Sequence, residues 1–119
     1  MSIFIVAEIG INHNGSMEIC KELIDVAVDS GCDAVKFQKR DIDKVYTQEF
    51  LNSHRESPWG ETQREQKMGL EFDADEYQEI ESYCKKKNIE WFASAWDVNS
   101  QKFLRQFNSK YNKVASAMI

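Results

Sequence analysis

The sequence predicts a parallel α/β protein, and three observations carry that reading. Short apolar runs at residues 3–8, 34–38, 89–94 and 113–115 alternate with amphipathic stretches of helical period. That is the pattern left by parallel strands joined through crossover helices. The runs end in polar groups: Glu8, then Lys36 and Gln38, then Ser94, then Lys113 with Ser116. Right-handed crossovers bring strand C-termini to one edge, outside which α/β proteins bind their ligands. Third, a chain of 119 residues, 42% hydrophobic and 29% charged, suits one soluble domain with a real core.

The first strand, at residues 3–8, halts at the carboxylate of Glu8. A loop dense in amides and glycines follows, Gly10-Ile11-Asn12-His13-Asn14-Gly15. Ser16 is placed to cap a helix with Glu18 in its first turn, favourable against the helix dipole. Cys20, Leu23, Ile24 and Ala27 form its apolar stripe, and Gly31 supplies the left-handed residue that ends it. In the second strand, period two sets Val35 and Phe37 on one face, and Ala34, Lys36 and Gln38 on the other. If the apolar pair faces the helices, Lys36 turns into the interior or the top of the sheet. A buried ammonium there requires a partner.

Residues 39–72 are less regular and hold the only proline, Pro58. A connection this long inside a compact domain is unusual and often functional; one short helix is expected near residues 61–68. Asp73 with Glu76 three positions later makes a capping box. The helix behind it runs to Lys87, with Tyr77, Ile80 and Cys84 on its stripe and a lysine run matching the dipole at its end. After the third strand, Asp97 caps a short helix bearing Phe103, Leu104 and Phe107, and the last strand follows near 113–115.

Bulk properties exclude several classes. A net charge of -5 argues against a nucleic-acid partner, although a few placed lysines suffice to hold an anionic small molecule. The apolar start is too short, and lacks the basic flank, for a signal peptide or membrane span. Cys20, Cys32 and Cys84 have no metal-ligand spacing. Cys20 and Cys84 sit on apolar helix faces as small buried hydrophobes, and the odd count fits a reducing cytoplasm.

Four motifs, in order, give the chain a family resemblance. Residues 4–15, Phe-Ile-Val-Ala-Glu-Ile-Gly-Ile-Asn-His-Asn-Gly, resemble the opening of sialic acid synthases of the NeuB type. Residues 31–38 resemble their second strand. Ser57-Pro58-Trp59-Gly60-Glu61-Thr62 and Leu70-Glu71-Phe72 resemble their long loop and the segment entering the next helix, and residues 113–116 their fourth strand. The resemblance implies a (β/α)8 barrel followed by a small antifreeze-like domain. Residues 1–119, with about four strands, would form the N-terminal half of the barrel, its other half and the second domain lying outside the chain.

The activity implied is condensation of phosphoenolpyruvate with an N-acetylhexosamine, such as N-acetylmannosamine or its 6-phosphate, to a sialic or related nonulosonic acid. By the same resemblance, Glu8 is the catalytic carboxylate; Lys36, Ser94, Lys113 and Ser116 hold phosphate, and Gln38 contacts the sugar. A divalent metal, Mn²⁺ or Mg²⁺, is implied for the full-length enzyme, with its ligands beyond this chain. Met118 stands where the family often carries an acidic residue, and methionine is a poor ligand for a hard cation. Half a pocket cannot orient two substrates, so the isolated chain is expected to be inactive. Half a barrel also leaves open edges, so a homodimer or strand exchange is expected. Two other readings stand beside this one. One is a 3-deoxy sugar-acid phosphate synthase; the other is a non-enzymatic receiver-type domain on a flavodoxin-like sheet.

Overall fold

Four strands pair in parallel to form the main sheet: β1 (Val6–Gly10), β2 (Ala34–Lys39), β5 (Glu90–Ala95) and β6 (Lys113–Val114). The computed structural model describes residues 2–119. Helix α1 (Met17–Asp29) joins β1 to β2, α5 (Ala74–Lys87) leads into β5, and α6 (Val98–Arg105) joins β5 to β6. The sheet order is β1-β2-β5-β6, so each strand lies beside the one that preceded it in the chain. This sequential winding belongs to a (β/α)8 barrel. A flavodoxin-like sheet would hold its first strand in the interior, whereas β1 lies at an edge, and the receiver-type alternative fails on that ground.

The helices share one face of the sheet. Val35, Phe37, Trp91 and Ala93 from the strands pack against Cys20, Ile24 and Ala27 of α1, Tyr77, Ile80 and Cys84 of α5, and Leu104 of α6. Burying these side chains is the main stabilising term, at ~1.5–3 kcal/mol for each large one. Burial also pushes the Cys20 and Cys84 thiols up to about 12, which keeps them protonated and unreactive. The other face carries Glu8, Ala34, Lys36, Gln38, Phe92 and Ser94 by strand alternation. Near its base Tyr111 meets Phe4 and Phe92, with ring centroids 5.0 and 5.6 Å apart.

The expected caps form. Ser16 accepts from the Ile19 amide at 3.2 Å, Asp97 from the Ser100 amide at 2.8 Å, and Asp73 with Glu76 closes a full capping box. Gly31 adopts φ +82° after α1. Two expectations change. The first strand spans Val6–Gly10 and not residues 3–8, so Glu8 lies within the strand and does not terminate it. The cause is register: β2 begins at Ala34, which pairs with Val6, and Asp33 binds the Ile5 backbone, leaving residues 3–4 no ladder partner. The 39–72 segment is also more ordered than its sequence suggests. It folds as α2 (Ile42–Val45), α3 (Gln48–Leu51), an antiparallel hairpin of β3 (His54–Ser57) and β4 (Gly60–Thr62), and α4 (Gln63–Gly69).

Candidate active site

The site is assembled on two levels of the inner sheet face. On the lower level Glu8 of β1 stands opposite Lys36 of β2; on the upper, Gln38, Ser94 and Lys113 lie side by side on β2, β5 and β6. Residues two apart on a strand rise ~7 Å, so the levels are within reach of one long side chain. Lys36 spans them. Its buried ammonium forms an ion pair with Glu8 at 2.9 Å and donates to Ser94 Oγ at 2.5 Å and to the Phe37 carbonyl at 3.3 Å. The partner that a buried lysine requires is therefore Glu8. The two ends of the pair differ in access: the Lys36 side chain is 9% exposed and that of Glu8 59%.

Glu8 is aimed by a local irregularity. The β1–β2 register shifts between Glu8 and Gly10, and Gly10 takes φ +55°, a bulge that turns the strand at its mouth. A Cβ added at Gly10 would fall 3.2 Å from Glu8 Oε1. Glycine here leaves the carboxylate room.

All six residues singled out from the sequence line one open cavity of about 370 Å³: Glu8, Lys36, Gln38, Ser94, Lys113 and Ser116. Ser116 is exposed and opens a 3₁₀ turn directly after β6. Lys113 donates to the Val114 carbonyl at 3.3 Å. The arrangement offers two ammonium groups and two hydroxyls to an anion, with a carboxylate and a carboxamide beside them. Among the described residues no three His, Cys, Asp or Glu side chains converge as a metal cage. Glu8 is the one carboxylate lining the cavity among the described residues, too few hard anionic ligands by itself to hold a divalent cation.

Trp96 and Arg40 carried no signal in the sequence, while Asn12 was legible only as part of the loop above the site, with no role assigned. Asn12 and Trp96 line the same cavity. Arg40 lies behind Trp96, its guanidinium 5.6 Å from the ring centre, and is tied to Glu71 at 2.9 Å and to the Tyr46 hydroxyl at 3.0 Å. It clamps the rim of β2 to the 42–69 excursion. Its partners Glu71, Tyr46 and Trp96 lie in separate connecting segments, and only the fold assembles them.

His13, left without a role by the sequence, is buried and stacked on Phe72 with ring centres 4.0 Å apart. Its Nδ1 accepts from the Gly15 amide at 3.0 Å, and burial lowers its pKa from 6.5 to about 4. The ring is a neutral brace for the turn after β1.

A sequentially wound parallel sheet with a charged, hydroxyl-bearing pocket at its C-terminal edge defines a barrel-type small-molecule site. The chain belongs to the NeuB family, whose sequence profile matches residues 23–119. It is 39% identical to N-acetylneuraminate-9-phosphate synthase of Drosophila melanogaster over 97% of this chain and 32% of that protein. The Homo sapiens protein of the same name is 36% identical over 95% of this chain and 32% of its own length. N,N'-diacetyllegionaminic acid synthase of Legionella pneumophila is 32% identical over 100% and 34%. Among solved structures, the N-acetylneuraminic acid (sialic acid) synthetase of Leptospira borgpetersenii, in complex with citrate, superposes with a TM-score of 0.79 at 26% identity. That match covers 98% of this chain and 37% of the other. The chain thus spans about a third of the length of the curated relatives it matches.

Proposed function

We propose that this chain supplies the N-terminal half-barrel of a synthase that condenses phosphoenolpyruvate with an N-acetylhexosamine, giving a sialic or related nonulosonic acid. The observation that carries the reading is the convergence of Glu8, Lys36, Gln38, Ser94, Lys113 and Ser116 on one cavity. The names of the relatives support the class of product.

In the reaction, C3 of phosphoenolpyruvate attacks the sugar aldehyde carbon, and the enol electron pair becomes the new carbon–carbon bond. The aldehyde oxygen takes up a proton. Water adds to the oxocarbenium-like C2 and loses a proton, and phosphate departs with its C–O electron pair. Lys36, Lys113, Ser94 and Ser116 bind the phosphate and carboxylate, where charge-assisted hydrogen bonds are strongest. Glu8 stabilises the cationic C2 or accepts the proton of the attacking water. Gln38 orients the acceptor sugar.

A divalent cation, Mn²⁺ or Mg²⁺, belongs to this proposal with ligands from residues beyond this chain. So do the rest of the barrel, an antifreeze-like domain and a homodimeric assembly. The isolated chain binds but does not turn over, because the second substrate lacks its other wall. Three free thiols fit a reducing cytoplasm, and among the described residues no helix is long and apolar enough to cross a membrane. The test is an assay of the protein read through to its full length. Phosphate release from phosphoenolpyruvate should depend on an N-acetylhexosamine or its 6-phosphate; release that ignores the amino sugar, or depends instead on an aldose phosphate with no acetamido group, overturns the reading.

A further inference from the structure

We infer that the Asn12 carboxamide is a further acceptor-binding group of this cavity, and that Trp59, which does not line it, is the positioning residue that holds Asn12 in place. The inference rests on the functional reading above and adds a neutral-sugar wall to it. The cavity is lined by the two cations Lys36 and Lys113 and also by the amides of Asn12 and Gln38. Ammonium groups match an anion. A carboxamide donates and accepts at once, which matches the hydroxyls and acetamido group of an uncharged sugar.

Asn12 is exposed, yet its backbone is fixed from below. Its amide donates to the Ile9 carbonyl at 2.8 Å, the Asn14 amide to Ile11 at 3.1 Å and the Ser16 amide to His13 at 3.0 Å, three successive turns. The turn is then locked from the side by the hairpin. Gly15, at φ +74°, lies so close to the Gly69 carbonyl that no Cβ fits, and a Cβ at Gly69 would overlap the Trp59 indole. Trp59 Cζ2 lies 3.4 Å from where a Gly15 Cβ would be. Trp59, at the tip between β3 and β4, thus closes a three-way contact with the end of α4 and the turn that presents Asn12. Tight packing of a ring on two glycines transmits position, because such contacts do not deform continuously.

The test is a double-substitution cycle in the protein read through to its full length, titrated separately with phosphoenolpyruvate and N-acetylmannosamine by NMR. Asn12→Ala and Trp59→Ala should each weaken N-acetylmannosamine about tenfold, the scale of one lost hydrogen bond to a ligand. Phosphoenolpyruvate affinity should stay within about twofold. The double variant should be no weaker than either single one, since both losses act through the same contact. Trp59→Phe, which keeps a ring on the glycines, should recover most of the affinity and serves if Trp59→Ala fails to fold. Additive losses, or an Asn12→Ala protein that binds the sugar normally, overturn the inference alone. A parent protein that binds phosphoenolpyruvate but not the amino sugar also overturns it, while leaving the anion site standing. Binding of neither compound overturns the functional reading together with the inference.

Discussion

Lys36 joins its local chemistry to its position more closely than any other residue. Strand alternation turns it inward, burial demands an anion, and Glu8 answers at 2.9 Å. In the full-length enzyme, Lys36→Ala and Glu8→Gln are each expected to cut turnover ~100-fold or more, the usual cost of losing a positioned proton-transfer or electrostatic group. Steady-state phosphate release measures it, and near-normal rates in both would refute these roles. His13 gives a prediction for the chain itself. Its folded pKa of about 4 lies below the usual 6.5, so the unfolded chain takes up the proton first. The stability due to the neutral ring is complete above pH 6.5 and is lost as pH falls toward 4. The loss is about 3 kcal/mol, from a fall in pKa between 6.5 and about 4. Urea midpoints across that range should fall in the parent chain and flatten in His13→Phe.

Among the elements, the helices were the most legible because their signals are local. Ser16, Asp73 and Asp97 each sit where a side-chain oxygen can take up an orphan amide, and each does so. Asp73→Ala should cost α5 about 1 kcal/mol, read as a lower thermal midpoint with little change in the circular dichroism of the native state. The hairpin was not legible. Its strands, His-Arg-Glu-Ser and Gly-Glu-Thr, have no apolar alternation, and they are held by pairing and by Trp59 on Gly69. The first strand was misplaced for a related reason: Ile3, Phe4 and Ile5 are as apolar as any strand, but ladder partners are set by β2, and Phe4 packs on Tyr111 instead. The pocket divides in the same way. Lys36 and Gln38 follow from parity along a strand and Glu8 from its place at the end of an apolar run, whereas Arg40 meets its partners only through contacts between distant segments.

For the whole molecule, several exposed apolar groups lie near the two sheet edges. Val6 begins β1, while Val114 ends β6 and Val98 opens α6, at 58% and 69% exposure, both lining an apolar hollow that includes Trp96 and Met118. Unpaired strands with apolar flanks favour association, so sedimentation at rising concentration should show a dimer or larger species; a strictly monomeric chain with cooperative unfolding would contradict this. The Arg40–Glu71 pair tests how the excursion is joined to the sheet. Arg40→Met leaves a nearly buried carboxylate without its partner and should cost ~3–5 kcal/mol, seen as a large drop in urea midpoint.

A sheet whose spatial order repeats its chain order also imposes a timetable. Each strand of the main sheet finds its neighbour already synthesised, and no later strand has to wedge between two earlier ones. Pairing can therefore keep pace with translation from the N-terminus. A circularly permuted version that begins at β5 would lose that advantage without losing a single native contact.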